Sequence, residues 1–175
     1  MGKVKKQPPV KLVVGFIFKE EDVLKQAKRI LIRRFGKIDF ESQPLSFTYT
    51  RYYEQEMGKG LKKVFVSFKK LIPADSLPAI KTAANNTENK LTLDLSRQIN
   101  IDPGYLDLAK FVLATTKDYS HRIYLSKGIY AEITLVYQEK TFRPWDWTYP
   151  DYRSHGYIEI LNRIRKIYAE QVKNI

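Results

Sequence analysis

An uninterrupted apolar run near the start of the chain constrains the fold most strongly. Residues 12–18 read Leu-Val-Val-Gly-Phe-Ile-Phe, without a polar side chain that could face water. A strand with one wet face alternates between apolar and polar positions, whereas a strand covered on both faces does not. The run therefore predicts a strand over residues 11–18 that is buried on both faces.

Three later segments carry the apolar periodicity and the end signals of amphipathic helices. The first begins at Glu20-Glu21-Asp22, whose charge suits a helix N-terminus, and it stops at Gly36. The second covers residues 76–91, where Pro78 is tolerated because it falls in the first turn. A third helix is predicted after Ser154, a residue type that favours the N-cap position.

The remaining segments favour strands and turns. Short apolar or alternating segments predict strands at residues 38–40, 45–50, 64–68, 122–125, 129–137 and 141–145. Ser126-Lys127-Gly128 is a hairpin signal. Asp102-Pro103-Gly104 predicts a tight turn after residues 99–101, because Pro fixes φ and Gly permits positive φ. Residues 106–115 are ambiguous between a helix and a strand, and a strand is favoured at their end.

The order of these elements indicates the fold class. Strand–helix–strand–strand–helix–strand resembles one ferredoxin-like unit, and a hairpin and a terminal helix follow it. We therefore predict a single α+β domain over residues 10–175, with helices packed on a mixed, mostly antiparallel sheet. Residues 1–9 are predicted to form a basic N-terminal arm that ends in prolines.

Composition excludes several classes of site and suggests a compartment. The 175 residues include no cysteine, which excludes disulfides, thiolate zinc sites and cysteine nucleophiles. A reducing cytosol is the simplest environment for such a chain, so we expect a cytoplasmic protein. No apolar run approaches the roughly 20 residues of a membrane span, and no cleavage pattern follows the basic N-terminus. We therefore expect no membrane association.

Positive charge is concentrated in the first two-fifths of the chain. The net charge is +12, and residues 1–70 hold 17 Lys and Arg against 7 Asp and Glu. One side of the first predicted helix carries Lys25, Lys28, Arg29 and Arg33. This pattern predicts either binding to RNA or the ribosome that weakens steeply with salt, or an ordinary solvated lysine-rich surface.

Residues that could carry chemistry cluster elsewhere, between residues 102 and 155, where both His and both Trp lie. The candidate catalytic residues are Asp102, Asp118 and His121. The candidate ligand-binding residues are Lys117, Arg122, Trp145, Trp147, Tyr149, Asp151 and Arg153. In this hypothesis arginines hold an anion, aromatic rings stack on the ligand, and the histidine exchanges protons beside a carboxylate.

Each of these candidates also has a purely structural interpretation. Asp102 fits the predicted turn, and His121 fits an exposed position at the start of a strand. If the chain is extended there, Asp118 and His121 point to opposite faces and meet only if Tyr119-Ser120 turns the chain. The aromatic segment at residues 145–153 fits a plug that fixes the last helix to the sheet.

Known phosphate and metal motifs are absent from the sequence. No Walker P-loop is present, and Gly58-Lys59-Gly60-Leu61-Lys62-Lys63 leads to a predicted strand, which favours a solvated basic loop. Thr116-Lys117-Asp118 is similar to a guanine-recognition motif, but its Asp comes one residue too early. The spacing of the two His matches no zinc rule, so we predict no metal site and name no cofactor.

Longer strings within the chain resemble a known family. They are Asp102-Pro103-Gly104-Tyr105 and residues 113–118, 121–125 and 147–153, with further similarity at residues 9–12 and 52–58. They resemble an uncharacterised bacterial and archaeal family, a domain of unknown function whose members are often labelled GTP-binding proteins. No GTPase motif in this sequence supports that label, and the resemblance implies no catalytic residues.

Three functional hypotheses follow from the sequence. The first is a site for a phosphate-bearing, nucleotide-like ligand, which leaves open whether the protein is an enzyme. The second is a non-catalytic RNA- or ribosome-associated protein, and the third is a structural or partner-binding module. The first hypothesis expects Asp102, His121, Arg122, Asp151 and Arg153 to converge in one cleft.

Overall fold

The computed structural model of the chain describes residues 2–5 and 7–173. Its strands are β1 (Lys11–Phe18), β2 (Ile38–Glu41), β3 (Leu45–Ser46), β4 (Lys62–Phe68), β5 (Ile99–Leu106), β6 (Lys110–Thr115), β7 (Ile123–Ser126), β8 (Ile129–Gln138) and β9 (Thr141–Pro144). Its helices are α1 (Glu21–Phe35), α2 (Glu54–Met57), α3 (Leu77–Lys90) and α4 (His155–Val172). None of the helices in the described ranges combines the length and the apolarity that a bilayer crossing needs.

The strands join one sheet in the order β2-β4-β1-β5-β6-β8-β7, with β3 beside β4 and β9 beside β8. The pairings between these strands are antiparallel, in agreement with the mostly antiparallel sheet predicted from the sequence. Strands β2, β4, β1 and β5, with α1 and α3 as the crossovers, have the predicted ferredoxin-like order. The α+β fold predicted from the sequence is confirmed.

Strand β1 lies between β4 and β5 and is buried along its whole length. Its even-numbered side chains, such as Val14 and Phe16, pack against α1 and α3 in one hydrophobic core. Val13 points to the opposite face and packs in a second core with α4. The prediction of a strand buried on both faces is therefore confirmed, and helices cover the sheet on both sides.

Helix α4 closes the second core. Ser154 caps it as predicted, because its hydroxyl accepts a hydrogen bond from the backbone N–H of Tyr157 at 3.4 Å. The buried face of the helix consists of Tyr157, Ile160, Leu161, Ile164 and Tyr168. Near its C-terminal end, Gln171 accepts a hydrogen bond at 2.7 Å from Lys11, a fully buried lysine at the start of β1 that also pairs with Asp39.

The predicted hairpin joins β7 to β8. Lys127 and Gly128 have φ angles of 55° and 73°, the two positive values that a tight type I′ turn requires. Strand β8 is long enough to pair with β6 along one edge and with β7 and then β9 along the other. The hairpin therefore extends the ferredoxin-like half of the sheet into a second half that α4 covers.

The prediction of a tight turn at Asp102-Pro103-Gly104 is wrong. These residues lie inside β5, where Pro103 is opposite Val14 of β1. The N–H groups of alternate residues in a strand point to the same edge. The N–H of Ile101 points away from β1, so an N–H at position 103 would also point away from β1. Pairing of β5 with β6 begins only at Gly104, so the missing N–H of Pro103 falls where no neighbouring strand needs it.

Two other segments differ from the sequence-based prediction. The strand predicted at residues 45–50 ends at Ser46; the N–H of Phe47 still binds the carbonyl of Leu61, and the chain then leaves the sheet. The segment between the predicted strands at residues 45–50 and 64–68 contains α2, and β4 begins two residues earlier than predicted, at Lys62. Residues 110–115 form a strand and not a helix.

We expect Gly104→Ala to lower the free energy of unfolding by about 2–3 kcal/mol, as overpacking does in tight interiors. A Cβ at position 104 would lie 2.4 Å from the carbonyl oxygen of Val112, which would force β5 and β6 apart. Gly156→Ala is the matched control, because the nearest atom would be 4.0 Å away and Ala favours the helix. Urea denaturation measures both variants, and equal stability of the two would contradict this account.

Candidate functional site

A cleft of about 770 Å³ opens where β5 and β6 separate. The two strands pair between Gly104 and Leu106 only, and the N-terminal half of β5 then borders α3. Side chains of β5, the end of β6, α3, the segment at residues 47–53 and the loop at residues 149–152 line the cleft. The sheet therefore has a polar opening at its middle instead of a continuous ladder.

Two side chains of α3 replace the missing strand at this opening. The carboxylate of Glu88 accepts a hydrogen bond from the backbone N–H of Ile101 at 2.5 Å. The ammonium of Lys81 donates to the carbonyl of the same residue at 2.9 Å. Buried backbone groups must be hydrogen-bonded, so α3 allows β5 to leave β6 without an unpaired N–H or C=O at Ile101.

Asp102 is the carboxylate at the centre of the cleft wall. Its Oδ2 accepts a hydrogen bond from Asn100 at 2.7 Å and lies 3.4 Å from Lys63 Nζ, while its Oδ1 lies 3.6 Å from Lys81 Nζ. Burial by itself raises the pKa of Asp102, but the two lysines and these hydrogen bonds outweigh burial and leave the pKa below its ordinary value. Asp102 is therefore ionised at neutral pH.

Lys63 supports Asp102 from a fully buried position. It does so because Gly15 of β1 has no side chain, since a Cβ there would lie 2.9 Å from Lys63 Cε and 3.0 Å from Nζ. The ammonium lies 5.4 Å and 5.5 Å from the ring centroids of Phe65 and Tyr152, within cation–π distance. The prediction of a solvated basic loop is thus wrong for Lys63, which belongs to β4 and faces the protein interior.

Two further carboxyl groups line the cleft and differ from Asp102 in their protonation. Burial raises the pKa of Glu88 to about 7, against the opposing effects of Lys81 and the N–H of Ile101. Burial also raises the pKa of Asp151, which Lys63 only partly offsets. One cleft therefore holds an ionised carboxylate beside carboxyls that retain a proton more readily, a combination typical of functional sites.

Arg122 is held by the protein itself at the other side of the cleft. Its guanidinium donates to Glu132 at 2.8 Å, to the hydroxyl of Tyr149 at 3.0 Å and to the carbonyl of Lys117 at 3.0 Å. Arg122 and Glu132 are nearly fully buried. Three N–H donors of the guanidinium are therefore occupied by the protein. Through these hydrogen bonds Arg122 positions Tyr149 and Lys117 at the cleft.

His121 and Asp118 do not form the dyad that was considered from the sequence. The chain does turn between them, since the N–H of Arg122 binds the carbonyl of Tyr119. His121 instead contacts Glu132, with its Nε2 3.1 Å from the carboxylate. Neither His121 nor Asp118 lines the cleft.

The aromatic segment divides into three parts. Its two Trp form a surface stack, Tyr149 lines the cleft, and Tyr152 is buried between Phe65 of the sheet and Tyr157 of α4, as the plug interpretation expects. Trp145 stacks on Trp147 with 5.1 Å between ring centroids, and Trp147 stacks on His121 at 5.5 Å. Both Trp side chains remain more than one-third exposed. Arg153 donates to the carbonyls of Thr148 and Asp146, so it closes this loop and does not reach the cleft.

The structure thus brings together part of the set predicted from the sequence. The cleft is lined by Asp102, Lys117, Arg122, Tyr149 and Asp151, and it is not lined by Asp118, His121, Trp145, Trp147 or Arg153. Sequence analysis missed the stripe on α3, which consists of Lys81, Asn85, Glu88 and Asn89. Asn85, Glu88 and Asn89 follow Lys81 by four, seven and eight residues, a spacing that places all four on one helical face. This periodic pattern of polar residues is the feature of the sequence that could have identified them.

The basic surface predicted on the first helix is separate from the cleft and partly neutralised. Lys25 pairs with Asp22 at 2.9 Å, and Lys28 pairs with Glu41 at 2.7 Å. For metals, residues 2–5 and 7–173 contain no cluster of three or more His, Asp or Glu side chains in ligand geometry.

Comparison with known proteins identifies a family. The family described as "Domain of unknown function (DUF4416)" matches residues 8–168, which include all the strands and most of α4. Neither the curated proteins nor the solved structures contain a match. The match therefore supplies a family without an activity.

We expect Glu88→Gln to change the pH dependence of stability. The native pKa of about 7 exceeds the ordinary 4.5, so between these values the native state keeps a proton that the unfolded state releases. Wild-type stability should therefore lose about 3 kcal/mol across this window as pH rises, a loss that Gln removes. Urea denaturation between about pH 4.5 and 8 measures this difference. The control variant Glu159→Gln, at an exposed residue, should show the same dependence of stability on pH as the wild type. If Glu88→Gln showed that dependence as well, the raised pKa of Glu88 would be contradicted.

Proposed function

The chain belongs to the DUF4416 family of domains of unknown function, and we propose that its cleft binds a phosphate-bearing, nucleotide-like ligand. The observation that carries this proposal is the combination, in one opening, of tyrosine rings and a lysine at the mouth with a buried polar wall inside. The volume of about 770 Å³ falls within the range of roughly 300–1,000 Å³ for small-molecule sites.

Tyrosine rings at the mouth offer faces on which a planar base can stack. Tyr52, Tyr119 and Tyr149 line the cleft and are 59%, 54% and 44% exposed. Aromatic stacking favours any base, because every base has a π-face. The hydroxyl of Tyr149 is fixed by Arg122, so that ring is oriented before a ligand arrives.

Lys117 is the cation best placed to meet a phosphate. It is exposed at the mouth, directly after the end of β6, and its ammonium lies 4.8 Å from the ring centroid of Tyr52. Arg122 holds the backbone carbonyl of Lys117 at 3.0 Å, which fixes the origin of the side chain. A lysine ammonium binds phosphate as a point charge, so its flexible stem suits this position.

The inner carboxyls extend the proposal from binding towards chemistry. The pKa values of Asp102 and Asp151 are displaced in opposite directions. Glu88, whose pKa burial raises to about 7, lines the same cleft and is the carboxyl best matched to proton transfer at neutral pH.

Binding in the cleft is better supported than the alternatives from the sequence. RNA association through residues 1–70 would use a face where Lys25 and Lys28 already have acidic partners. A purely structural module would not need an open polar cleft in the middle of its sheet. RNA binding is therefore a separate and less supported proposal.

We expect calorimetric titration to detect binding of at least one compound in a panel of ribonucleoside mono-, di- and triphosphates. Lys117→Ala should weaken the best ligand about tenfold, because a charge-assisted contact contributes roughly 1.5–3 kcal/mol. Lys166→Ala is the control, since Lys166 is an exposed lysine of α4 that does not line the cleft. Absence of binding across the panel, or equal weakening by both variants, would overturn the proposal.

A further inference from the structure

We infer that the inner wall of the cleft recognises the vicinal hydroxyl groups of a sugar, with Asp102 as the main acceptor. This inference rests on the proposed function, because a phosphate at the mouth places the attached sugar against the wall. It goes further by naming the part of the ligand that the wall selects. The chemistry is shared by a nucleotide ribose and by a free sugar phosphate.

Among the described residues, one oxygen of Asp102 accepts no hydrogen bond and can accept one from a ligand. Its Oδ2 is occupied by Asn100 and Lys63, whereas Oδ1 forms an ion pair with Lys81 at 3.6 Å, which is longer than a hydrogen bond. The side chain is one-quarter exposed and lines the cleft. An ionised carboxylate accepts stronger hydrogen bonds than a neutral group, so Oδ1 is suited to a hydroxyl donor.

Two amides of α3 face the same space. Asn85 and Asn89 are four residues apart, lie on one helical face and line the cleft. A carboxamide donates and accepts at once, as a hydroxyl does, so carboxamides and a carboxylate together match a pair of adjacent hydroxyls. Tyr53 also lines the cleft and offers a ring against which the C–H face of a sugar can pack.

The charge balance of the wall decides which end of the ligand lies there. The cations at the wall already have acidic partners, since Lys63 and Lys81 pair with Asp102 and Arg97 pairs with Glu56 and Glu88. A phosphate at the wall would compete with these carboxylates for the same cations. Neutral hydroxyls meet no such cost, so the sugar lies inside and the phosphate lies at the mouth near Lys117.

Calorimetric titration with inorganic phosphate, ribose 5-phosphate and 2-deoxyribose 5-phosphate tests the inference. We expect ribose 5-phosphate to bind at least tenfold more tightly than the deoxy sugar, which lacks one hydroxyl. Asp102→Asn should reduce this ratio towards one, with circular dichroism and urea denaturation to confirm that the variant is folded. Asn85→Ala should reduce the ratio without removing a charge that Lys63 needs.

Asn86→Ala is the matched control, since Asn86 is the exposed neighbour of Asn85 on α3 and does not line the cleft. It should leave the ratio unchanged, and an equal effect of both Asn variants would overturn the inference. Equal affinity for the two sugar phosphates would overturn it as well, while the proposed phosphate site would stand. Absence of binding by all three probes, together with absence of nucleotide binding, would overturn both.

Discussion

The burial of β1 on both faces is the constraint on which the other layers depend. A strand with no polar face must be covered twice, and α1 with α3 cover one side while α4 covers the other. The same strand carries Gly15, whose missing side chain leaves room for the fully buried Lys63. The central strand therefore organises the two hydrophobic cores and also the charge behind the cleft.

The cleft exists because the N-terminal half of β5 pairs with β1 but not with β6. Opening a sheet normally leaves backbone groups without hydrogen bonds, which is costly in a protein interior. Here Glu88 and Lys81 of α3 bind the N–H and the carbonyl of Ile101, so side chains satisfy both backbone groups of that residue. Both side chains are ionisable. The contacts that stabilise the separation of β5 from β6 therefore also make the wall of the cleft polar.

A second polar network fixes the opposite side of the cleft. Glu132 of β8 is almost fully buried and binds both Arg122 and His121. Removing one partner of such a buried group leaves an uncompensated charge, so the members are mutually dependent. Through Arg122 this network holds Tyr149 and the backbone of Lys117, while His121 joins the aromatic stack on the outer surface. The histidine that drew attention in the sequence is thus a support for the site and not part of its lining.

Local patterns in the sequence were sufficient for much of the fold. The apolar run of β1, the helix periodicity of α1 and α3, the Lys127-Gly128 turn and the Ser154 cap each depend on neighbours within a few residues. Elsewhere, contacts between residues far apart in the chain determined the local structure, against the prediction from neighbouring residues. Pro103-Gly104 has strong turn chemistry, yet pairing with β1, about ninety residues earlier, keeps it extended.

The candidate site shows the same division. The sequence by itself indicated Asp102, Lys117, Arg122, Tyr149 and Asp151, because charged and aromatic residues concentrate in that half of the chain. Only the tertiary structure decided that Asp102 meets Lys63 and Lys81, since those contacts need three separate elements at one opening in the sheet. The physical reason is that hydrophobic periodicity and turn chemistry act over a few neighbouring residues, whereas pKa values and the cleft depend on which distant groups are buried together.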